Sequence, residues 1–263
     1  MNDLLQSIDP RGVATLTLNR AERHNAFDDA LVGRLTAALR ELGARADVRA
    51  LVICGKGKSF SAGADIDWLK RMGAASFEDN LTDAEALASL FLTLDRLKKP
   101  TIAYVHGAAF GGGVGLVACC DIAIATERAS FCLSEARLGV IPAAIGPYVL
   151  RAIGARAARR FMLTAEVFSA QTAREIGLVH EVAAEAVGPA LREKILCALL
   201  SCAPGAQTQV KSLLAYCASR GIDETLAQET ARRLAERRAS KEGREGLSAF
   251  VEKRAPDWCG GGP

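Results

Sequence analysis

Two periods of apolar residues run through the first half of the chain, and the switches between them delimit its elements. Residues 12–18 alternate apolar and polar side chains as a half-buried strand does, and Asn19 and Arg20 end the run. Over 28–42 the apolar positions become Leu31, Leu35, Leu39 and Leu42, the spacing of one helix face. Residues 49–54 read as a buried strand closed by the turn Gly55-Lys56-Gly57-Lys58. A helix is predicted over about 83–97, stopped by Pro100, and a strand over 101–105. Glycines then lead into a helix ending near Cys119, and 121–125 form another strand. Strands separated by helices pair in parallel through crossovers, so the fold class is α/β. The order also allows β-β-α units stacked as turns of a spiral, although no sequence period marks them.

After Pro142 the pattern turns helical. From about residue 147 onward helices are predicted, one opened by Ser169 and Gln171, one by Pro204, and two more over 222–238 and 240–253. No low-complexity linker divides the chain, so 1–263 is expected to be a single domain. Within it, 1–195 is the α/β core, 196–258 a helical region used for subunit contacts, and 259–263 a disordered tail with an exposed thiol at Cys259.

Composition narrows the options. At 263 residues, with half of them hydrophobic, the chain can bury a sizeable core. A net charge of +3, dispersed along the chain, argues against nucleic acid, while a mild basic excess suits a phosphorylated small molecule. No apolar stretch approaches the roughly 18 residues of a membrane span. The start lacks the basic flank and apolar core of a signal peptide, so a cytoplasmic location is expected. Seven of the eight cysteines sit in apolar surroundings, as reduced core thiols do; no C-x-x-C pair occurs and the three histidines are scattered, so no metal is expected.

Two stretches carry candidate chemistry. Gly111, Gly112 and Gly113 enter an apolar helical pattern, which lets backbone approach a ligand and leaves unpaired N–H groups at a helix start. Glu135 follows in the otherwise apolar run Phe131-Cys132-Leu133-Ser134-Glu135. Together they suit making and protonating an enolate. Each also has a plainer reading: the glycines as a turn without ligand, Glu135 as a structural acid paired with Arg137 or Arg151. Asp65 reads better as a helix cap than as a catalyst. Trp68, Met72 and Phe77 read either as wall of an acyl pocket or as packing of the following helix, the core role being the safer reading, and 232–238 as a solvated helix face.

The chain strongly resembles the crotonase, or enoyl-CoA hydratase/isomerase, family over nearly its whole length. The resemblance rests on Leu18-Asn19-Arg20-Ala21-Glu22-Arg23-His24-Asn25-Ala26, Phe60-Ser61-Ala62-Gly63-Ala64-Asp65, Lys99-Pro100-Thr101-Ile102-Ala103, Phe110-Gly111-Gly112-Gly113, Asp121-Ile122, Leu138-Gly139-Val140-Ile141-Pro142 and Ala173-Arg174-Glu175-Ile176-Gly177-Leu178-Val179, in that order. It implies a ββα spiral core with C-terminal helices, assembled as trimers or as hexamers of two trimers. It further implies an acyl-CoA substrate, with coenzyme A part of that substrate and no separate cofactor. Matched residue by residue, the backbone amides of Ala64 and Gly112 are the donors to the thioester oxygen, and Glu135 is the acid that handles the α-carbon proton. The substrate and coenzyme contacts implied are Arg23, His24, Ala62, Ala64, Asp65, Ile66, Gly111, Gly112, Gly115, Pro142, Phe250 and Lys253, the last two in many cases toward a neighbouring subunit, and Lys58 could meet a phosphate. Gly115 stands where two-glutamate hydratases carry their second acid, a departure that puts the standard water-activation scheme in doubt.

The expected function is hydration of a 2-enoyl-CoA. The stretches 113–121, Leu133-Ser134-Glu135 and Ile141-Pro142-Ala143-Ala144-Ile145-Gly146-Pro147-Tyr148, the last with Ala143-Ala144-Ile145 in place of the family's usual glycine-rich turn, look like those of bacterial methylglutaconyl-CoA hydratases and their carboxygeranoyl-CoA relatives, whose substrates carry a distal carboxylate that a nearby cation should receive. Alternatives are a Δ3,Δ2-enoyl-CoA isomerase using the single glutamate, and a CoA-ester or RNA-binding protein with vestigial activity.

Overall fold

The computed structural model describes residues 3–259. Among the described residues, ten strands form two sheets. The larger runs β1 (Leu4–Ile8), β2 (Val13–Leu18), β3 (Ala50–Gly55), β5 (Thr101–Val105), β7 (Ile122–Thr126) and β10 (Glu181–Ala183), in that spatial order. The smaller runs β4 (Ser59–Ser61), β6 (Ala108–Phe110), β8 (Ser130–Cys132) and β9 (Phe168–Ser169). All neighbours are parallel except β1 with β2 and β8 with β9. The helices are α1 (Asp29–Ala44), α2 (Ile66–Ala74), α3 (Phe77–Asp95), α4 (Gly112–Cys119), α5 (Gly146–Thr164), α6 (Ala170–Glu175), α7 (Gly188–Leu200), α8 (Pro204–Cys217), α9 (Glu224–Ala239) and α10 (Lys241–Val251).

The spiral is visible in how the two sheets interleave. β3, β5 and β7 enter the large sheet, and the strand that follows each of them, β4, β6 or β8, enters the small one. Helices then carry the chain back: α2 and α3, then α4, then α5. Each turn thus stacks its first strand on the previous first strand and its second on the previous second.

Strand alternation divides the large sheet between two apolar layers. Leu16, Leu18, Leu51 and Ile53 face one, where Leu31, Leu35, Leu39 and Leu42 of α1 pack with Phe91 and Leu94 of α3. Val13, Ala50, Val52, Ile102 and Ile124 face the other, covered by Leu196 and its half-buried neighbours on α7. The expected boundary at 195/196 therefore falls inside a single helix that lids the sheet. β9 and β10 interrupt a stretch read from the sequence as all helix; both are too short for a period to register. Cys259 closes a 3-10 turn, Asp257–Cys259, with its thiol exposed, and 260–263 of the expected tail lie outside the described residues.

Candidate active site

β6 ends at Phe110, and Gly111 turns the chain into α4 with φ 48° and ψ −117°, a conformation that strains any residue with a Cβ. Its own N–H bonds the Cys132 carbonyl at 2.9 Å, and its carbonyl accepts from Gly115 at 3.2 Å. The Gly112 N–H, first in α4, has no partner among the described residues, as expected of a helix start, and the helix dipole adds positive potential there.

Ala64 is set by a single parallel bridge to Phe27. Phe27 donates to the Gly63 carbonyl at 2.6 Å and accepts from the Asp65 N–H at 2.7 Å. Those bonds engage the groups on either side of Ala64, and its own N–H is left without a partner among the described residues.

A polar knot holds this segment. Asp65 is 4% exposed; it caps α2 through the Asp67 N–H and takes Arg20 and Arg23, each at 3.2 Å. Arg20, itself buried, also bonds Asp28 at 2.7 Å and the Ala26 carbonyl. Asn25, in the left-handed region at φ 54°, accepts from the Arg20 N–H and donates to the carbonyls of Lys56 and Ser59. Burial pushes the Asp65 carboxyl up, but the Asp67 amide and Arg23 outweigh it and hold it below the usual carboxylate range.

β8 pairs with β6, Cys132 opposite Phe110, which brings the 3-10 turn Ser134–Leu138 beside the glycines. A Cβ at Gly111 would lie 3.2 Å from Glu135 Oε1. Glu135 Oε2 is buried with no hydrogen-bond partner, and no ion pair engages Glu135 among the described residues. Arg151, one candidate partner, bonds Asp95 instead. Burial raises the Glu135 carboxyl above its ordinary range.

These groups meet at a cavity of about 810 Å³, ample for an acyl group. Of the residues singled out in the sequence, Ala62, Ala64, Gly111, Gly112, Glu135 and Pro142 border it. The rest of its wall is largely apolar, from Phe27, Trp68, Leu69, Met72, Leu87 and Ile145. Trp68 donates its indole N–H to Asp83 at 2.9 Å. Phe77, expected in the core, is 75% exposed at the first turn of α3.

The remaining expected contacts lie outside the wall. Asp65 is spent on the knot and the cap. Arg23 pairs with Asp65 and Asp67, His24 shares a hydrogen bond with Ser59 Oγ, and Ile66 is exposed at the start of α2. Phe250 and Lys253 lie exposed at the end of α10. Gly115, read as a reaction-site position, is buried against Ile145 and Phe91 instead. Ile145 and Leu87 were missed as wall residues; the only hint for Ile145 was its place in a turn the family usually fills with glycine.

Fold and site together define an α/β spiral protein whose pocket suits thioester enolate chemistry: an acid beside free backbone amides. The family description "Enoyl-CoA hydratase/isomerase" matches residues 9–261. An enoyl-CoA hydratase from Shewanella pealeana is 46% identical, with TM-score 0.94 over 98% of this chain and 96% of that one. An enoyl-CoA hydratase from Mycobacterium smegmatis is 33% identical, with TM-score 0.92 over 98% and 100%. The 2,3-dehydroadipyl-CoA hydratase of Escherichia coli is 34% identical over 99% of this chain and all of its own length. The chain belongs to the enoyl-CoA hydratase/isomerase, or crotonase, family.

Proposed function

We propose that the protein adds water across the double bond of a 2-enoyl-CoA thioester. The observation that carries this reading is Glu135, whose Oε2 is buried without a partner and whose Oε1 lies 3.2 Å from where a Cβ at Gly111 would stand, in one cavity wall with Gly112 and Ala64, whose N–H groups are unpaired among the described residues. As water attacks Cβ, the C=C electrons shift through Cα onto the thioester oxygen, and the two amides hold the resulting enolate oxygen. Donors fixed in a dry site stabilise that charge without reorganising, and losing one costs about 10²–10³ in rate. Glu135 takes the proton released by the attacking water and delivers it to Cα, which restores the carbonyl. Its raised pKa suits a group that both accepts and returns a proton near neutral pH.

A methylglutaconyl-like acyl group needs a cation for its distal carboxylate. Among the described residues none of the side chains in the cavity wall is cationic, which favours an uncharged acyl chain. The isomerase reading has one observation in its favour: Glu135 is the sole ionisable side chain in that wall among the described residues, and one carboxylate suffices to shuttle a proton between C2 and C4. Trimeric assembly, which would bring Phe250 and Lys253 to a neighbour's coenzyme, belongs to the same proposal.

Enoyl absorbance tests these readings with 2-butenoyl-CoA, 3-methylglutaconyl-CoA and a 3-enoyl-CoA. Loss of absorbance on 2-butenoyl-CoA is expected. Gain of absorbance on the 3-enoyl-CoA with no hydration of either 2-enoyl substrate would establish the isomerase instead.

A further inference from the structure

Gly115 lies one turn beyond Gly111, where a Cβ would stand 3.2 Å from Glu135 Oε1. A side chain at 115 would leave α4 toward Ile145, which borders the same cavity as Glu135. That space is filled. A Cβ at Gly115 would meet Ile145 Cγ2 at 2.3 Å, and Cε1 and Cζ of Phe91 at 2.7 and 2.9 Å. Ile145 is only 2% exposed, yet it borders the cavity, so one side chain both packs α4 and forms the reaction-site wall.

We propose that Ile145 is a specificity-determining residue: wedged with Phe91 over Gly115, it bars a second polar group from α4 and confines water and proton handling to Glu135. The inference rests on the assignment of Glu135 above. Its physical content is that space and polarity must change together. Trimming Ile145 alone opens an apolar pocket, and apolar pockets without polar partners stay dry. Adding a carboxylate at 115 alone drives it into occupied volume.

The test is a double-variant cycle in the full chain. Gly115→Ala alone should lower Tm by about 5 °C or more, although Ala is the better helix former. In an Ile145→Ala background, where the Phe91 ring can turn into the vacated space, the same change should cost less than half as much. Equal loss in both backgrounds, or loss in neither, overturns the proposal. In the second arm, Gly115→Glu combined with Ile145→Ala should hydrate 2-butenoyl-CoA about tenfold or more faster than either single variant, with a second ionisation in its pH profile. Coupled melting without that gain also overturns the proposal. Activity surviving Glu135→Gln would instead remove the assignment of Glu135, while leaving the melting result to stand or fall alone.

Discussion

Replacing Glu135 by Gln keeps the shape of the side chain and removes its ionisation, so rate and stability should move in opposite directions. For the rate, a positioned acid–base group contributes about 10²–10⁴, and kcat should fall by that factor. Binding of a saturated acyl-CoA should change little, because the amides and the apolar wall are untouched. For stability, the wild-type carboxylate has Oε2 buried with no hydrogen-bond partner, and leaving such a group unsatisfied costs about 1–3 kcal/mol. Gln remains polar, so only part of that is recovered: about 1 kcal/mol, or roughly 2–4 °C in Tm at pH 8. The sign follows from proton linkage. Burial raises the folded pKa of Glu135 above its ordinary value of 4.5, so the folded state binds more protons than the unfolded one between those two values. Wild-type stability is therefore penalised as pH rises through that window, and the advantage of Gln grows across it and then levels off. Below pH 4.5 the two proteins should melt together. Differential scanning calorimetry from pH 4 to pH 8, paired with the absorbance assay, reads both effects. A variant with wild-type turnover, or one less stable than wild type at pH 8, would refute the reasoning.

Two further outcomes are expected. Gly111→Ala must place a Cβ in a backbone region at φ 48° and within 3.2 Å of Glu135 Oε1, costing about 1–3 kcal/mol and turning both the acid and the Gly112 amide. kcat should drop about 10–100-fold with acyl-CoA affinity held within a few-fold, and unaltered turnover would argue against this geometry. Asp65→Asn keeps a helix cap but strips the carboxylate from two arginines in a buried knot, for a loss of about 3 kcal/mol at pH 7. Because the folded pKa of Asp65 lies below its ordinary 3.8, that contribution is present above pH 3.8 and lost as pH falls through the lower folded value, so the gap between variant and wild type should close only in strong acid.

The fold was legible where elements were long enough to show a period. α1 announced itself through Leu31, Leu35, Leu39 and Leu42, and all four are fully buried. The small sheet did not, because β4, β6 and β8 each offer three residues, too few for alternation to be distinguished from a loop. Yet that sheet is what places Gly111 beside Glu135, through the register of Phe110 with Cys132. The chain from Leu18 to Ala26, one anchor of the family resemblance, carries much of the scaffold of the site. Arg20 and Asn25 tie it to β4 and to Asp65, so it holds Ala64 in position and leaves the cavity wall to others.

Gly115 shows why the rest was not legible. In a sequence, a glycine where an acid might stand reads as an absence and invites the thought that restoring the acid restores the chemistry. In the fold the same position is a close-packed contact, because Ile145, 30 residues away in the chain, has filled the volume. Close packing makes such positions interdependent: interiors have few voids larger than a water, so a side chain cannot be removed at one point without a neighbour moving in or a cavity remaining. Only the three-dimensional neighbourhood of Gly115 says which of those happened. It also shifts the question of how one carboxylate suffices from α4 to the turn before α5, where a single isoleucine decides how much polar surface the site can hold.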